Sequence, residues 1–342
     1  MPHKTDNNLQ VGCTVEAYSR LHFGLLEIHP GAPNSFGGIG LMVDKPSVCL
    51  TVRTDREMLD SAESIDPCAT WEDPYWKERF HKVYANFQSR NNGFVINPVE
   101  LKLTPTAHIG LGSGTQFACA ASALLNSLHE RTQACETQEP QRWTIDSGRG
   151  LRSHIGLHGF LHGQLVVDLG HSSELSQNFP ERTRSHYFPE DWRVLLLHEA
   201  IYQGDSGANE QAIFDHCSKR ENPNRKQMLE LIQEQILPAV SSRNFQEATR
   251  GIGLYGELAG SVFSPALGDA YRTPRIRYWI DRFRSMGLPG VGQSSWGPVV
   301  FVMVQDSNEA SWLLEKIRPE LHQGGWICAS SAAGPARVEF EV

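Results

Sequence analysis

The sequence predicts an α+β protein of two domains, on three observations. Its 342 residues exceed one average domain. Apolar runs of period two and helical segments are mixed along the chain rather than strictly alternating, which favours α+β over a doubly wound parallel sheet. Between Ser176 and Asp191 the composition turns polar and carries two prolines. That stretch places the boundary between an N-terminal domain, 1–185, and a C-terminal domain, 186–342.

Composition narrows the class. A hydrophobic content of 40% against 20% charged residues describes a globular chain with ample core. With 31 basic and 39 acidic residues, a formal charge of −8 argues against general nucleic-acid binding but leaves room for a local basic pocket. No run approaches the roughly 20 apolar residues of a membrane span, and the polar stretch Met1 to Gln10 shows no apolar signal region. Seven cysteines, an odd number without CxxC pairs, fit reduced thiols. The expectation is a cytoplasmic protein with neither nucleic-acid nor membrane partners.

In chain order, Cys13 to His29 reads as an opening strand. A turn-rich loop, Pro30 to Gly40, follows, then a strand over Ser47 to Arg53 in which Val48, Leu50 and Val52 alternate. Trp76 to Ser89 is helical and stops at the turn Asn91-Asn-Gly93. Trp71, Trp76 and Trp143 are expected in the core or in hairpins. Val99 to Thr104 is a strand leading into a glycine loop, and Gln116 to Glu130, apolar on every side, is a buried helix. Thr132 to Gln141 is a polar connection.

Gly148 to Gly170 carries enough glycine to predict a loop and then a strand over Gln164 to Leu169, rather than a helix. Without a helix, His154, His158 and His162 at four-residue spacing make no metal-binding face. The second half opens with a strand, Trp192 to His198, and a loop, Tyr202 to Glu210. Helices follow near Arg225–Ala239, Phe245–Phe263 and Asp269–Met286. A glycine-serine loop, Gly287 to Pro298, precedes a strand over Val299 to Val304. A helix, Asn308 to Ile317, and strands at Trp326–Ser330 and Arg337–Phe340 close the chain.

Chemistry concentrates between Pro105 and Ala121. Gly110, Gly112 and Gly114 lie between an extended run and a helix, where glycine lets backbone approach a ligand closely. A helix N-terminus adds unsatisfied N–H groups and the positive end of a dipole. Gly110, Leu111, Gly112, Ser113, Gly114, Thr115 and Gln116 therefore form an expected phosphate cradle. The Ser113 and Thr115 hydroxyls stand within reach of a phosphate oxygen or a phosphate-bound metal. Neither Walker A nor the dinucleotide glycine spacing is present. The plainer alternative is a tight turn feeding a core helix.

The string Pro105-x-x-x-x-Gly-Leu-Gly-Ser-Gly114 before an Ala-rich helix resembles the phosphate loop of the GHMP kinase superfamily. Ser19-Arg-Leu-His-Phe-Gly24 occupies the place of that superfamily's N-terminal motif. Gly290 to Pro298 occupies the place of its C-terminal glycine-rich motif, which folds back against the phosphate loop. The resemblance implies a GHMP kinase-like two-domain fold, with an N-terminal domain of ribosomal-protein type and a ferredoxin-like C-terminal domain.

Departures from the kinases narrow the resemblance. The loop reads Gly112-Ser-Gly-Thr-Gln116 rather than Gly-Ser-Ser-Ala. Gly148-Arg-Gly-Leu-Arg-Ser-His-Ile-Gly156 is basic where many kinases carry an aspartate, and arginine cannot serve as a general base. With Gly37-Gly-Ile-Gly-Leu41, Gly204-Asp-Ser-Gly207 and Ser294-Ser-Trp-Gly-Pro298, the chain resembles the β-ribofuranosylaminobenzene 5′-phosphate synthases over nearly its full length. Leu151-Arg-Ser-His154 differs from the Gly-Thr-Ser-type run of the archaeal members.

This resemblance implies that 4-aminobenzoate, or a related 4-substituted benzoate, is joined to phosphoribosyl pyrophosphate with loss of CO₂ and pyrophosphate, on the route to methanopterin. It also implies Mg²⁺ as cofactor and a homodimer. Arg20, Arg152 and His154 are the expected catalytic groups, with His22, Arg149, Ser153, Ser294 and Ser295 on the substrates. A guanidinium fork matches both phosphate and carboxylate; surface ion pairing is the plainer role. Ser113, Asp205 and Glu210 are expected on Mg²⁺ through oxygen, against a turn-forming Asp and a solvated Glu. The rival functions are an ATP-dependent small-molecule kinase of the same fold and a non-catalytic ligand-binding protein on that scaffold.

Overall fold

A computed structural model describes residues 10–29, 32, 35–55, 66–91, 94–96, 98–103, 106–133, 140–150, 153–170, 183–199, 208–295 and 297–341. Among these, the first half runs β1 (Gln10–Leu25), β2 (Gly38–Asp55), α1 (Pro74–Arg90), β3 (Val99–Leu103), α2 (Ser113–Gln133), α3 (Gln141–Asp146), α4 (Ile155–His162), β4 (Leu165–Asp168) and β5 (Thr183–His186). The second half begins with β6 (Arg193–His198), α5 (Ala208–Cys217), α6 (Arg225–Glu230), a π-helical turn (Leu231–Ile236) and α7 (Leu237–Ser241). It continues with α8 (Phe245–Ser261), α9 (Ser264–Leu267), α10 (Pro274–Ser285), β7 (Val291–Gln293), β8 (Val300–Val304), α11 (Ser307–Ile317), β9 (Trp326–Ser330) and β10 (Arg337–Glu341).

Strands β10-β1-β2-β4-β5 form one antiparallel sheet, with β3 also paired to β2; β7-β8-β6-β9 form the other. The last strand crosses back to the first, setting Phe340 opposite Cys13 and Val338 opposite Val15. Residues 337–341 thus complete the N-terminal sheet. In β6, Val194 and Leu196 face the core shared by the two sheets, while Leu195 and Leu197 face α10 and α11. In β8, Phe301 and Met303 face the shared core; Val300, Val302 and Val304 face the helices. Burial on both faces explains why these strands read as continuous apolar runs.

Local chemistry sets the helices. The Asp73 side chain accepts from Tyr75 N and Pro74 occupies the first turn, starting α1. Trp76, Phe80, Val83, Tyr84 and Phe87 then fall on one buried face. That face meets α2 through Trp76 and Phe117, whose ring centroids are 4.7 Å apart. From Phe117 to Leu125 every apolar residue of α2 is buried, as expected of a helix apolar all round. None of the described helices is long and apolar enough to cross a membrane.

The glycine-rich segment after Gly148 departs from expectation, because Ile155–His162 is a helix. Each helical glycine costs about 1 kcal/mol relative to alanine, and here close approach offsets that cost. A Cβ at Gly159 would lie 2.3 Å from the Met42 sulfur on β2, and one at Gly156 would lie 3.2 Å from Thr115 on α2. Ile155, Leu157 and Phe160 are buried around them. The helix then ends at Gly163, whose φ is +65°. It brings the His158 and His162 rings to 4.4 Å. Among the described residues the one cluster with metal-ligand spacing is elsewhere, at Asp66, Cys68 and His81.

Candidate active site

Three segments far apart in sequence are tied together by backbone. Arg20 N donates to Leu111 O at 2.9 Å, and Ser295 N donates to His22 O at 2.9 Å. Val299 N donates to Ile109 O at 3.3 Å. Ser294, fully buried, donates through its hydroxyl to Gly110 O at 2.8 Å and accepts from His22 N at 3.1 Å. Contact between the loops leaves no room for side chains: a Cβ at Gly110 would sit 2.3 Å from Ser294 O, and one at Gly297 2.1 Å from Ile109 O. Ile109 and Leu111 anchor the phosphate loop in the core on either side of Gly110, whose φ is +93°.

The loop delivers the chain into the first turn of α2. Thr115 N and Gln116 N both donate to Gly112 O. Ile109 O and Gly110 O, the acceptors a continuing helix would offer to Ser113 N and Gly114 N, are taken by Val299 N and the Ser294 hydroxyl. The two leading amides of α2 are therefore left at the positive end of its dipole. Ser113 is buried beside them.

Arginines converge on this turn. The Arg20 side chain lies over Gly112, where a Cβ would meet its Nε at 3.0 Å. That Nε is buried without a hydrogen-bond partner among the described residues, and no described carboxylate pairs with the guanidinium. Burial, and then the nearby Arg149, push the Arg20 pKa down to about 10, still fully protonated at neutral pH. Arg149 Nε donates to the Thr115 hydroxyl at 3.4 Å. Arg79, which the sequence did not single out, donates from Nη1 to Gly114 O at 3.3 Å. Nothing in its helical spacing on α1 points toward the loop. Beside these groups a polar cleft of ≈ 350 Å³ opens, lined in part by Arg79, Lys82, Asn86 and Arg149.

His22 and His154 extend the site along β1 and α4. His22 Nδ1 accepts from Gly24 N at 3.1 Å, which leaves the ring hydrogen on Nε2, 3.4 Å from the Ser153 hydroxyl. Burial, and then the Arg20 charge, hold the His22 pKa well below the ordinary histidine range, so the ring is neutral. His154 begins α4 and donates from its backbone to Asp168 Oδ2 at 2.9 Å, with its ring Nδ1 3.9 Å from the same oxygen. Asp168 also accepts from Gly170 N and the Thr183 hydroxyl and is fully buried. Sequence reasoning missed this carboxylate; a lone acid ending the apolar run Leu165-Val-Val-Asp168 was the available signal. Gln116 donates to Gly156 O at 2.8 Å, tying α2 to α4.

Arg152 and Asp205 lie outside the described residues, as do Trp296 and Pro105 from the quoted motifs. Glu210 falls on α5, with its side chain outside what is described. Of the three groups expected on Mg²⁺, Ser113 alone is therefore placed, at the loop.

Solved structures share this architecture. Mevalonate diphosphate decarboxylase from Staphylococcus aureus superposes with a TM-score of 0.62 over 97% of this chain and 98% of its own, at 13% identity. Homoserine kinase from Cytophaga hutchinsonii gives 0.60 over 99% and 100%, also at 13% identity. At such identity they establish the fold, that of the GHMP kinases. No family model matches the chain. Among curated proteins, β-ribofuranosylphenol 5′-phosphate synthase from Archaeoglobus fulgidus is 26% identical over 341 residues, covering 95% of this chain and 98% of its own. The Methanothermobacter thermautotrophicus protein of the same name is 24% identical over 302 residues, covering 84% and 87%. The chain is similar to these synthases over most of its length. The interlocked Arg20–His22 and Gly110–Gln116 segments and Ser294 and Ser295 carry three of the motifs on which the resemblance rests.

Proposed function

We propose that the protein condenses a benzoate bearing an amino or hydroxyl group at position 4 with phosphoribosyl pyrophosphate, releasing CO₂ and pyrophosphate, in methanopterin biosynthesis. The relatives' names supply the product class: a ribofuranosylphenol follows from 4-hydroxybenzoate, an aminobenzene from 4-aminobenzoate. The observation in this chain that supports the reading is Arg20, a buried guanidinium with no described acidic partner, over the amide-bearing turn of α2. An anion of high charge density satisfies both groups at once.

In this scheme the bond between ribose C1 and the pyrophosphate oxygen breaks, and its electron pair leaves with pyrophosphate. The leading amides of α2 and the guanidiniums of Arg20 and Arg149 stabilise the charge gathering there. The ring carbon bearing the carboxylate bonds to C1; the bond to the carboxylate then breaks, its electron pair restores the aromatic ring, and CO₂ departs. Neutral His22, Ser153 and Ser295 bind and orient the substrates, while fully buried Ser294, expected on the substrates, instead locks the loop through Gly110 O and His22 N; Arg152 and His154 are assigned to the reacting carboxylate. Arg79 and Arg149 would hold a sugar phosphate in the ≈ 350 Å³ cleft, which Asp146 and the Lys82–Glu78 pair also line. Mg²⁺ belongs to the proposal: Ser113, Asp205 and Glu210 would hold it through oxygen, and it would neutralise part of the leaving group's charge. A homodimer completes the reading.

The test supplies carboxyl-labelled 4-aminobenzoate or 4-hydroxybenzoate with phosphoribosyl pyrophosphate and no ATP. Labelled CO₂ with an equal yield of pyrophosphate is expected, abolished by EDTA and restored by Mg²⁺. Phosphorylation of a polyol by ATP without CO₂ release would make the protein a kinase. Tight binding with no turnover of either substrate set would make it a binding protein.

A further inference from the structure

We propose that Asp66, Cys68 and His81 form a site for a divalent transition metal, Zn²⁺ by preference, that clamps the turn 66–71 to α1. The Asp66 carboxylate, the Cys68 thiol and the His81 ring each present one ligand atom, and these atoms all lie within 4.8 Å of one another. Ligand atoms on one tetrahedral ion stand roughly 3 to 4 Å apart, so closing the set takes a shift of about 1 Å. The exposed His81 and Asp66 side chains can supply it by rotation. Sulfur, imidazole nitrogen and one carboxylate oxygen make a donor set for Zn²⁺ rather than for Mg²⁺, which takes oxygen. Two of the ligands come from the turn and one from the helix, so an ion there joins the two elements.

The turn holds the carboxylate ready. Cys68 N donates to Asp66 Oδ1 at 2.9 Å, and His81 Nε2 lies 2.9 Å from the same oxygen. Lys77 Nζ, one helical turn before His81, takes Oδ2 at 2.8 Å. Lys77, and then the Cys68 amide, push the Asp66 pKa down to about 2, so the carboxylate is charged and His81 Nε2 is the donor to it. A metal ion would take the place of that hydrogen. It would also displace the proton of the Cys68 thiol, whose pKa burial raises to about 12, because a coordinated thiol is deprotonated outright. The proton goes to solvent on the exposed side, and thiolate and carboxylate together outweigh the one ammonium of Lys77. Pro67 O accepts from Val99 N at 2.8 Å and Trp71 Nε1 donates to Val99 O at 2.6 Å, so the turn is itself fastened to β3. On α1, Lys77 and His81 lie off the stripe of Tyr75, Glu78, Arg79 and Lys82 that lines the cleft. The site is thus separate from the proposed Mg²⁺ and from the reaction.

Co²⁺ reports the ligands. Added to the metal-free full-length protein, it should produce the intense thiolate-to-metal charge-transfer band of a cysteine-bound ion, which Zn²⁺ bleaches and excess Mg²⁺ does not. Other cysteines are present, so variants decide where the ion sits. Cys68→Ser should lose the band. His81→Ala should weaken Co²⁺ binding by at least about tenfold, the least that even an outer-shell partner contributes. His81 is an exposed residue within α1, where alanine is favoured, so this variant keeps the fold and decides the matter should Cys68→Ser not fold. Zn²⁺ should raise the melting temperature of the wild type and leave that of His81→Ala unchanged. No charge-transfer band in the wild type, an undiminished band in folded Cys68→Ser, unweakened Co²⁺ binding in His81→Ala, or an equal rise in melting temperature in wild type and His81→Ala overturns the site. The labelled-CO₂ assay stands whichever way this falls, because the site takes no part in the reaction.

Discussion

Arg20 shows how a single residue can work against the folded state and for the ligand. A buried cation without a described acidic partner, depressed further by Arg149, destabilises the ligand-free protein. Arg20→Ala should therefore melt higher than wild type when free, and lose most of the stabilisation that phosphoribosyl pyrophosphate confers. Its affinity for that substrate should fall by about 2 kcal/mol, the scale of a charge-assisted hydrogen bond. Arg20→Lys should recover only part of it, because an ammonium lacks the planar fork. Calorimetric titration of the two variants measures this; unchanged affinity in Arg20→Ala would remove the guanidinium from the anion site. Arg20 was legible in the sequence because a motif contained it. Arg79 and Asp168 were not: each reaches the site from an element whose own pattern speaks only of helix face or strand end.

At the scale of elements, α4 is the instructive case. Counting glycines between Gly148 and Gly170 predicted a loop, since propensity weighs each residue without its neighbours. The helix forms because Gly156 and Gly159 let it lie directly on α2 and on β2, contacts that no local pattern records. Gly159→Ala should accordingly destabilise the protein by roughly 1–3 kcal/mol through overpacking against Met42, despite its better helix propensity. Shortening the neighbour in Gly159→Ala/Met42→Val should recover part of the loss, read as a shift in denaturation midpoint at constant slope. A stabilised single variant would mean that propensity rather than close contact governs α4. By contrast α1, α2 and α11 were visible within a few residues, because their apolar faces are periodic or complete and their ends are marked by Asp73, the glycine loop and Asp306.

Across the whole molecule, buried histidines set the response to acid. Burial, then His162 and Arg184, push the His158 pKa down to about 4, and burial with the Arg20 charge lowers that of His22. Both rings are neutral when folded at pH 6, whereas in the unfolded chain they titrate near the ordinary value of about 6.5. The unfolded state then binds more protons, so stability is complete above that value and falls as the pH drops below it. The slope is at most about 1.4 kcal/mol per pH unit for each histidine. Urea midpoints between pH 7.5 and 5 should fall for wild type and fall less for His158→Gln; parallel curves would show that His158 takes up a proton in the folded state. The fold class was legible because strands and helices carried clear periodicities in a mixed order. The pairing of β10 with β1 was not, since no local signal links Val338 to Val15. That pairing has a consequence during synthesis. The amino-terminal sheet cannot close until residues 337–341 have emerged from the ribosome, so nearly the whole chain must wait beside an open strand edge. A chaperone that shields this edge should raise the yield of folded protein more than one acting on later segments.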